Sequence, residues 1–314
     1  MSGPSTPTEL DLAGDPPAPE PAVVEITDSR ETEVGAFQVR RALPRRSRRT
    51  VGAWCFIDHI GPAPVTEHDG LNIAPHPHIG LQTVTWLLEG EALHRDSLGN
   101  EQVIRPGQLN LMTAGHGIAH SEEATGGYRG VLHGVQLWVA QPTATRGEAP
   151  VFVHHGELPQ VEVAGGVLTV LVGELAGAIS PARRDSDHLG LDLHLRAGGM
   201  SVPLRPDYEY GLVVFNGAVA VGGQRVEPGR LAYLGTGRDE LTVAASDPAR
   251  ALLVGGIPFD EPLLMWWNFV ARTRDEITDA YRAWQAGDDR FGPVASPLPR
   301  ITVGPPPWSL RDGR

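Results

Sequence analysis

The central motif of the chain is APHPHIGLQTVTWLLEG, residues 74–90. His76 and His78 stand two positions apart, and side chains at i and i+2 of a β-strand point to the same face. Pro77 disfavours a helical backbone at His76, which indicates an extended conformation. An apolar run over 81–88 and a Glu-Gly turn follow. This order is typical of a strand that carries two imidazoles on one face and leads into a second strand.

A second motif, His120-Ser121-Glu122, repeats the spacing with one imidazole and one carboxylate. Two such strands side by side supply three nitrogens and one oxygen, a set that suits a divalent first-row metal ion. In octahedral coordination two positions stay open for water, substrate or O₂, and an open position is typical of a catalytic metal. We therefore predict metal ligation by His76, His78, His120 and Glu122.

The alternative for a single His-x-His pair is a structural role, and the second motif favours the metal site. Eight of the 12 histidines lie between His59 and His133. We expect the other members of this group to be surface or hydrogen-bonded structural residues, with one or two of them orienting the ligands: His59, His68, His94, His116 and His133. Glu123 should point to the opposite face of its strand and be solvated.

The composition predicts an all-β protein. The 314 residues include 38 glycines and 28 prolines, which suits many short strands joined by tight turns. Both halves show the order strand, Gly turn, strand, Pro-Gly turn, strand, so we expect two copies of one β-barrel. The predicted segments are a disordered tail (1–21), a metal-binding barrel (22–145), a linker (146–164), a second barrel (165–258) and a C-terminal extension (259–314).

One helix is predicted, over residues ~274–286. Thr273 and Glu276 have the spacing of a capping box, and Gly287 stands where a C-terminal cap belongs. The residues expected to pack on a barrel wall have the spacing i, i+3, i+4, i+7: Ile277, Ala280, Tyr281 and Trp284. Trp266 and Trp267 are expected to serve packing before this helix.

Charge and residue usage exclude several classes of protein. The net charge of −12 argues against a direct nucleic-acid binder. One cysteine, Cys55, excludes a disulfide framework, and its apolar neighbours predict a buried inert thiol. Without a long apolar run or a signal-peptide pattern, we expect a soluble cytoplasmic protein with no membrane contact. For the arginine-rich segment 40–49, internal ion pairing or anion steering is favoured over a nucleic-acid patch.

These motifs resemble those of the pirins, members of the cupin superfamily with two barrels in one chain. The resemblance rests on the motif at 74–90, on HRDSLGN at 94–100 and above all on MTAGHGIAHSE at 112–122. It implies two tandem cupin (double-stranded β-helix) barrels with a short C-terminal helix. The family's metal ligands map onto His76, His78, His120 and Glu122. The second barrel has no His-x-His motif and is expected to hold no metal.

The resemblance implies two alternative functions. The first is a metal-dependent dioxygenase of the quercetin 2,3-dioxygenase type, which acts on a flavonol or similar enol or aromatic with O₂. Glu122 would then be ligand and base. The second is a non-enzymatic, redox-sensing transcription cofactor with iron as a switch and a protein partner. One mononuclear divalent ion per chain is expected, Fe²⁺ first, with Mn, Ni, Cu or Zn as alternatives.

Overall fold

A computed structural model describes residues 24–35, 37–66 and 70–309. The predicted tail (1–21) and His68 lie outside the described residues. The regular structure of the described residues consists of strands and one helix. Its first strands are β1 (Glu25–Asp28), β2 (Arg30–Val34), β3 (Phe37–Leu43), β4 (Trp54–Val65), β5 (Ile73–His78), β6 (Leu81–Glu89), β7 (Ala92–Asp96), β8 (Glu101–Ile104), β9 (Leu109–Thr113), β10 (Ile118–Glu123), β11 (Gly130–Ala140) and β12 (Val151–His155).

The remaining elements form the second barrel and the C-terminal extension. They are β13 (Gln160–Val163), β14 (Gly166–Val172), β15 (Glu174–Leu175), β16 (Ala178–Ile179), β17 (His188–Leu195), β18 (Gly198–Pro203), β19 (Glu209–Asn216), β20 (Val219–Val221), β21 (Gln224–Val226), β22 (Arg230–Gly235), β23 (Glu240–Ala245), β24 (Ala249–Gly256), β25 (Leu264–Trp266), β26 (Phe269–Ala271) and α1 (Arg274–Ala286).

Each barrel combines a seven-stranded and a four-stranded sheet. In the first barrel the strand orders are β12-β9-β6-β11-β4-β3-β2 and β5-β10-β7-β8. In the second they are β1-β22-β19-β24-β17-β14-β13 and β18-β23-β20-β21. The repeat of one plan confirms the predicted pair of all-β barrels. The interior of the second barrel is filled with apolar side chains such as Leu191, Leu212 and Leu253, each fully buried.

The strands do not follow the predicted segments everywhere. β1 lies within the span 22–145 expected for the first barrel, yet it pairs antiparallel with β22 of the second. The expected linker, 146–164, contains β12, which joins the first barrel, and β13, which joins the second. In each case a short strand hydrogen-bonds to a strand that would otherwise present an unpaired sheet edge.

The two barrels share an apolar interface, and two indoles extend across it. Trp54 Nε1 donates to the carbonyl oxygens of Leu189 at 3.0 Å and Gly255 at 3.3 Å. Trp86 Nε1 donates to Asp192 Oδ2 at 3.1 Å. Both tryptophans are buried in a cluster with residues of the second barrel. The barrels are therefore held together by an apolar cluster in which both indole N–H groups have acceptors.

Helix α1 has the predicted bounds and caps. The Thr273 hydroxyl accepts from the Glu276 backbone N–H at 3.2 Å, and Gly287 closes the helix in the left-handed region at φ 71°. Ile277, Ala280 and Trp284 are buried as expected, whereas Tyr281 is only half-buried. No helix in the described ranges is long and apolar enough to cross a membrane.

Candidate metal centre

Strands β5 and β10 bring the two histidine motifs together. They pair antiparallel, with His120 opposite His76 and Ile118 opposite His78. The side chains of His76, His78 and His120 are buried at 5%, 1% and 1% exposure. The potential ligand atoms of these three residues all lie within 4.8 Å of one another. The structure therefore places the three imidazoles in one cluster, as their spacing predicted.

Hydrogen bonds determine which nitrogen of each imidazole is free. His76 Nδ1 lies 2.9 Å from the carbonyl oxygen of Ala74, and His78 Nδ1 lies 3.0 Å from that of Asn268. A carbonyl oxygen only accepts, so each Nδ1 carries the proton and each Nε2 presents a lone pair. Burial lowers the pKa of His76 to about 4, and burial and neighbouring imidazoles hold the pKa of His78 and His120 well below the ordinary value. The cluster is therefore neutral near pH 7.

The geometry of the cluster fits a metal ion. His78 Nε2 and His120 Nε2 are 3.1 Å apart. Two nitrogens that bind one ion at ~2.1 Å with a 90° angle lie ~3.0 Å from each other. His78 Nε2 presents a lone pair, so at this distance His120 Nε2 either donates a proton to it or binds the same cation. Three neutral imidazoles with convergent lone pairs suit a divalent first-row metal.

Glu122 faces the same cavity but stands apart from the imidazole cluster. In the pairing of β10 with β5 the register shifts between His120 and Glu122, whereas the pairing with β7 stays regular. Among the described residues, the group of ligand atoms within 4.8 Å contains the three imidazoles and not this carboxylate. Burial raises the pKa of Glu122 to about 7, although the Thr85 hydroxyl, 3.5 Å from Oε1, opposes the rise. Its role as fourth ligand stays a prediction.

Behind the cluster lies a pair of residues, of which the sequence analysis named only His94 as a possible partner of a ligand. His94 Nδ1 lies 3.4 Å from His120 Nδ1, and His94 Nε2 lies 3.0 Å from Asp96 Oδ2. Both residues belong to β7, which pairs with β10 so that Asp96 is opposite His120. His94 is thus one of the residues expected to orient a ligand.

The other histidines have structural contacts. His59 and His133 form a buried pair with their Nε2 atoms 2.8 Å apart. His116 is exposed, and its Nδ1 donates to the carbonyl oxygen of Glu148. The prediction that Glu123 is solvated is wrong. Glu123 is buried and forms an ion pair with Arg95 at 2.6 Å, because β7 carries that arginine beside it.

A cavity of about 310 Å³ opens onto the imidazoles and Glu122. Phe56 and Trp138 line it and stack with ring centroids 4.0 Å apart. Trp267 lines it as well, from the hairpin β25–β26, with φ at 53°. Trp266 and Trp267 also pack against the cluster that contains Phe269, as expected, and Trp267 lines the cavity in addition. A left-handed backbone at a bulky residue is strained, and such strain concentrates at functional sites.

Part of the arginine-rich segment is engaged within the chain. Arg41 forms a two-pronged ion pair with Asp58 at 2.6 and 2.7 Å, and both side chains line the cavity. Arg48 pairs with Glu25. This agrees with the predicted internal ion pairing. Cys55 is buried as expected, and burial raises the pKa of its thiol to about 12, so the thiolate is absent near neutral pH.

Comparison with known proteins identifies the family. Residues 36–139 match the Pirin family, and residues 190–292 match the Pirin C-terminal cupin domain. The chain belongs to the pirin family. Its two barrels are therefore the cupin barrels of a pirin, as the resemblance implied.

Two relatives and one solved structure are similar to this pirin over most of its length. A Pseudomonas aeruginosa protein named "Putative quercetin 2,3-dioxygenase" is 47% identical over 313 residues, which cover 99% of both chains. A "Pirin-like protein" from Caulobacter vibrioides is 37% identical over 270 residues, and the match covers 83% of this chain and 93% of that protein. A crystal structure of quercetin 2,3-dioxygenase from Acinetobacter baumannii is similar with a TM-score of 0.88 and 42% identity, over 90% of this chain and 96% of the other.

Proposed function

We propose that this pirin is a metal-dependent dioxygenase of the quercetin 2,3-dioxygenase type, with a flavonol or similar enol and O₂ as substrates. The observation that carries the proposal is the convergence of three neutral imidazoles beside a buried carboxylate in one cavity. The names of two similar proteins point to the same reaction.

His76, His78 and His120 would hold one divalent ion, and Glu122 would approach as the fourth ligand. Fe²⁺ is our first expectation, with Mn, Ni, Cu or Zn as alternatives. When bound, the ion supplies Lewis-acid activation of the substrate and an orientation for its oxygens. The backbone carbonyls of Ala74 and Asn268 orient His76 and His78 by holding their Nδ1 protons.

Glu122 would accept the proton of the substrate hydroxyl at a carboxylate oxygen. A general base works best with a pKa near the operating pH, and burial places the pKa of Glu122 at about 7. The removed proton leaves an enolate, which is the electron-rich form that reacts with O₂. Oxygenation of a flavonol opens its central ring and releases CO.

The walls of the cavity suit a flat aromatic molecule. Phe56, Trp138 and Trp267 supply ring faces and edges, and aromatic groups pack favourably on such surfaces. A volume of about 310 Å³ falls at the lower end of small-molecule sites. The Arg41–Asp58 pair and Gln136 add polar groups at the same cavity, which can bind hydroxyls.

The test is quercetin loss with O₂ consumption, measured on metal-reconstituted protein. Glu122→Gln should lower kcat by about 10²–10⁴-fold, because a neutral amide cannot accept the proton. His76→Ala should lose the metal and with it the activity. Glu162→Gln, a matched substitution at an exposed position of β13, should retain full turnover.

Two results would overturn this proposal. Turnover that survives both Glu122→Gln and metal removal would belong to autoxidation or a contaminant. A metal-loaded wild type without turnover of quercetin or related enols would favour the alternative, a non-enzymatic redox-sensing regulator.

A further inference from the structure

The three imidazoles of the cluster differ in what holds their second nitrogen. His76 and His78 each donate from Nδ1 to a backbone carbonyl oxygen. His120 instead faces a side chain, with its Nδ1 3.4 Å from Nδ1 of His94. His94 in turn lies 3.0 Å from Asp96 through Nε2. Of the three imidazoles, His120 is thus linked to a carboxylate through a second imidazole.

The carboxylate fixes the protons along this chain. An ionised carboxylate only accepts, so His94 Nε2 carries the proton that it shares with Asp96. When a neutral His94 donates the proton of Nε2 to Asp96, its Nδ1 has a lone pair, which can only accept. A hydrogen bond between the two rings then requires the proton on His120 Nδ1, which leaves the lone pair of His120 on Nε2. That nitrogen is the one 3.1 Å from His78 Nε2.

We propose that His94 and Asp96 are positioning residues, which set the tautomer of His120 and strengthen its Nε2 as a metal donor. A hydrogen bond from the distal N–H of a ligating imidazole to a carboxylate raises the basicity of the ligand. Here the negative charge of Asp96 acts through one intervening ring. The inference rests on the metal site proposed above and is independent of the dioxygenase reaction.

Packing keeps both residues in place. The His94 ring stacks on Phe152 with centroids 4.2 Å apart and planes 8° apart. Asp96 Oδ1 accepts from the backbone N–H groups of Leu98 and Asn100 at 2.9 and 3.1 Å. His94 and Asp96 are 5% and 2% exposed. Their orientation is therefore established before any ligand arrives, as a positioning role requires.

Three variants separate this role from a structural one. His94→Phe keeps a ring on Phe152 but removes the acceptor for His120. His94→Asn keeps an amide oxygen near the position of Nδ1, and so an acceptor, but loses the link to Asp96. His194→Asn is the matched control, because His194 is exposed on β17 of the second barrel.

The first measurement uses the full-length Zn²⁺-loaded protein and needs no activity. The ¹⁵N chemical shifts of His120 should show a protonated Nδ1, and this proton should exchange slowly with water because His94 accepts from it. In His94→Phe the proton should exchange faster, and in His94→Asn slow exchange should return. A His120 Nδ1 proton that exchanges equally fast in the wild type and in His94→Phe would refute the inference.

The second measurement is the affinity for Co²⁺, used as the probe metal in a chelator competition. His94→Phe should weaken binding by about 10–100-fold, the usual effect of losing a group that orients a ligand. His94→Asn should recover part of the loss, and His194→Asn should bind as the wild type does. If folded His94→Phe binds Co²⁺ as tightly as the wild type, the inference is wrong. If His94→Phe does not fold, Asp96→Asn takes its place. An unchanged Co²⁺ affinity together with unchanged exchange of the His120 Nδ1 proton in Asp96→Asn would contradict the inference.

The outcomes distinguish this inference from the proposals on which it depends. A wild type that does not bind Co²⁺ refutes the metal site and this inference with it. A wild type that binds Co²⁺ and shows the predicted losses, yet turns over no quercetin, supports the inference and refutes the dioxygenase alone.

Discussion

Glu122→Gln should stabilise the metal-free protein above neutral pH. Burial raises the pKa of Glu122 from 4.5 to about 7 in the folded state. Below pH 4.5 the carboxyl group is protonated in both states, and it imposes no penalty. Between pH 4.5 and 7 only the unfolded state ionises freely, so wild-type stability falls as pH rises. At ~1.36 kcal/mol per pKa unit, the full penalty above pH 7 is about 3 kcal/mol. Glutamine does not titrate, so the Glu122→Gln variant does not lose this stability as the pH rises.

The assay is urea unfolding in the presence of a chelator, at several pH values from 4.5 to 8.5. The free energy of unfolding of Glu122→Gln minus that of the wild type should rise across this range and level off above pH 7. Glu162→Gln, an exposed control, should show no such rise. With a divalent metal present the order should reverse, because the ion favours the carboxylate. A flat difference in the chelator series would show that the Glu122 carboxylate is solvated, and the argument for its raised pKa would fail.

Four further predictions follow from described contacts. Trp284→Ala should cost about 3–5 kcal/mol in urea unfolding, since the side chain is 3% exposed; a loss under ~0.5 kcal/mol would show an exposed helix face. Trp267→Ala should raise KM for quercetin about 3–10-fold through lost ring contact, and an unchanged KM would remove Trp267 from the substrate site. Elemental analysis of protein from its native host should find one metal ion per chain, and a second ion bound within 165–255 would contradict the apolar filling of the second barrel. Cys55→Ser should retain turnover of quercetin, and a loss of turnover in this variant would show that the thiol takes part in the reaction.

Features that depend on neighbours along the chain were predictable from the sequence. The common face of His76 and His78 follows from the two-residue repeat of a strand. The bounds of the helix follow from Thr273 and Gly287, whose capping contacts reach only three or four residues. The predicted pair of barrels rested on repeated turn signals and on the family resemblance.

Features that depend on strand pairing were not predictable in this way. Glu123 is buried because the neighbouring strand presents Arg95, and no local pattern indicates which strand that is. The same pairing of β7 with β10 brings His94 to His120. Trp267 reaches the cavity because a hairpin from the C-terminal extension folds over the first barrel, a contact between distant parts of the chain. One signal was available, since His94 and Asp96 share the two-residue spacing of the ligand motifs.

The pairing of β1 with β22 affects how the protein forms during synthesis. β1 leaves the ribosome before the other described strands, but the residues that it joins come late. Asp28 and Arg230, which form an ion pair across this edge, are 202 positions apart. The first barrel can fold while the second is still being translated, as N-terminal domains commonly do. The segment that precedes it must then wait until the second barrel emerges. A chain released before β22 is synthesised would carry β1 without its partner strand. If translation is stalled after the first barrel and before the second, residues 25–28 of the nascent chain should be accessible to protease.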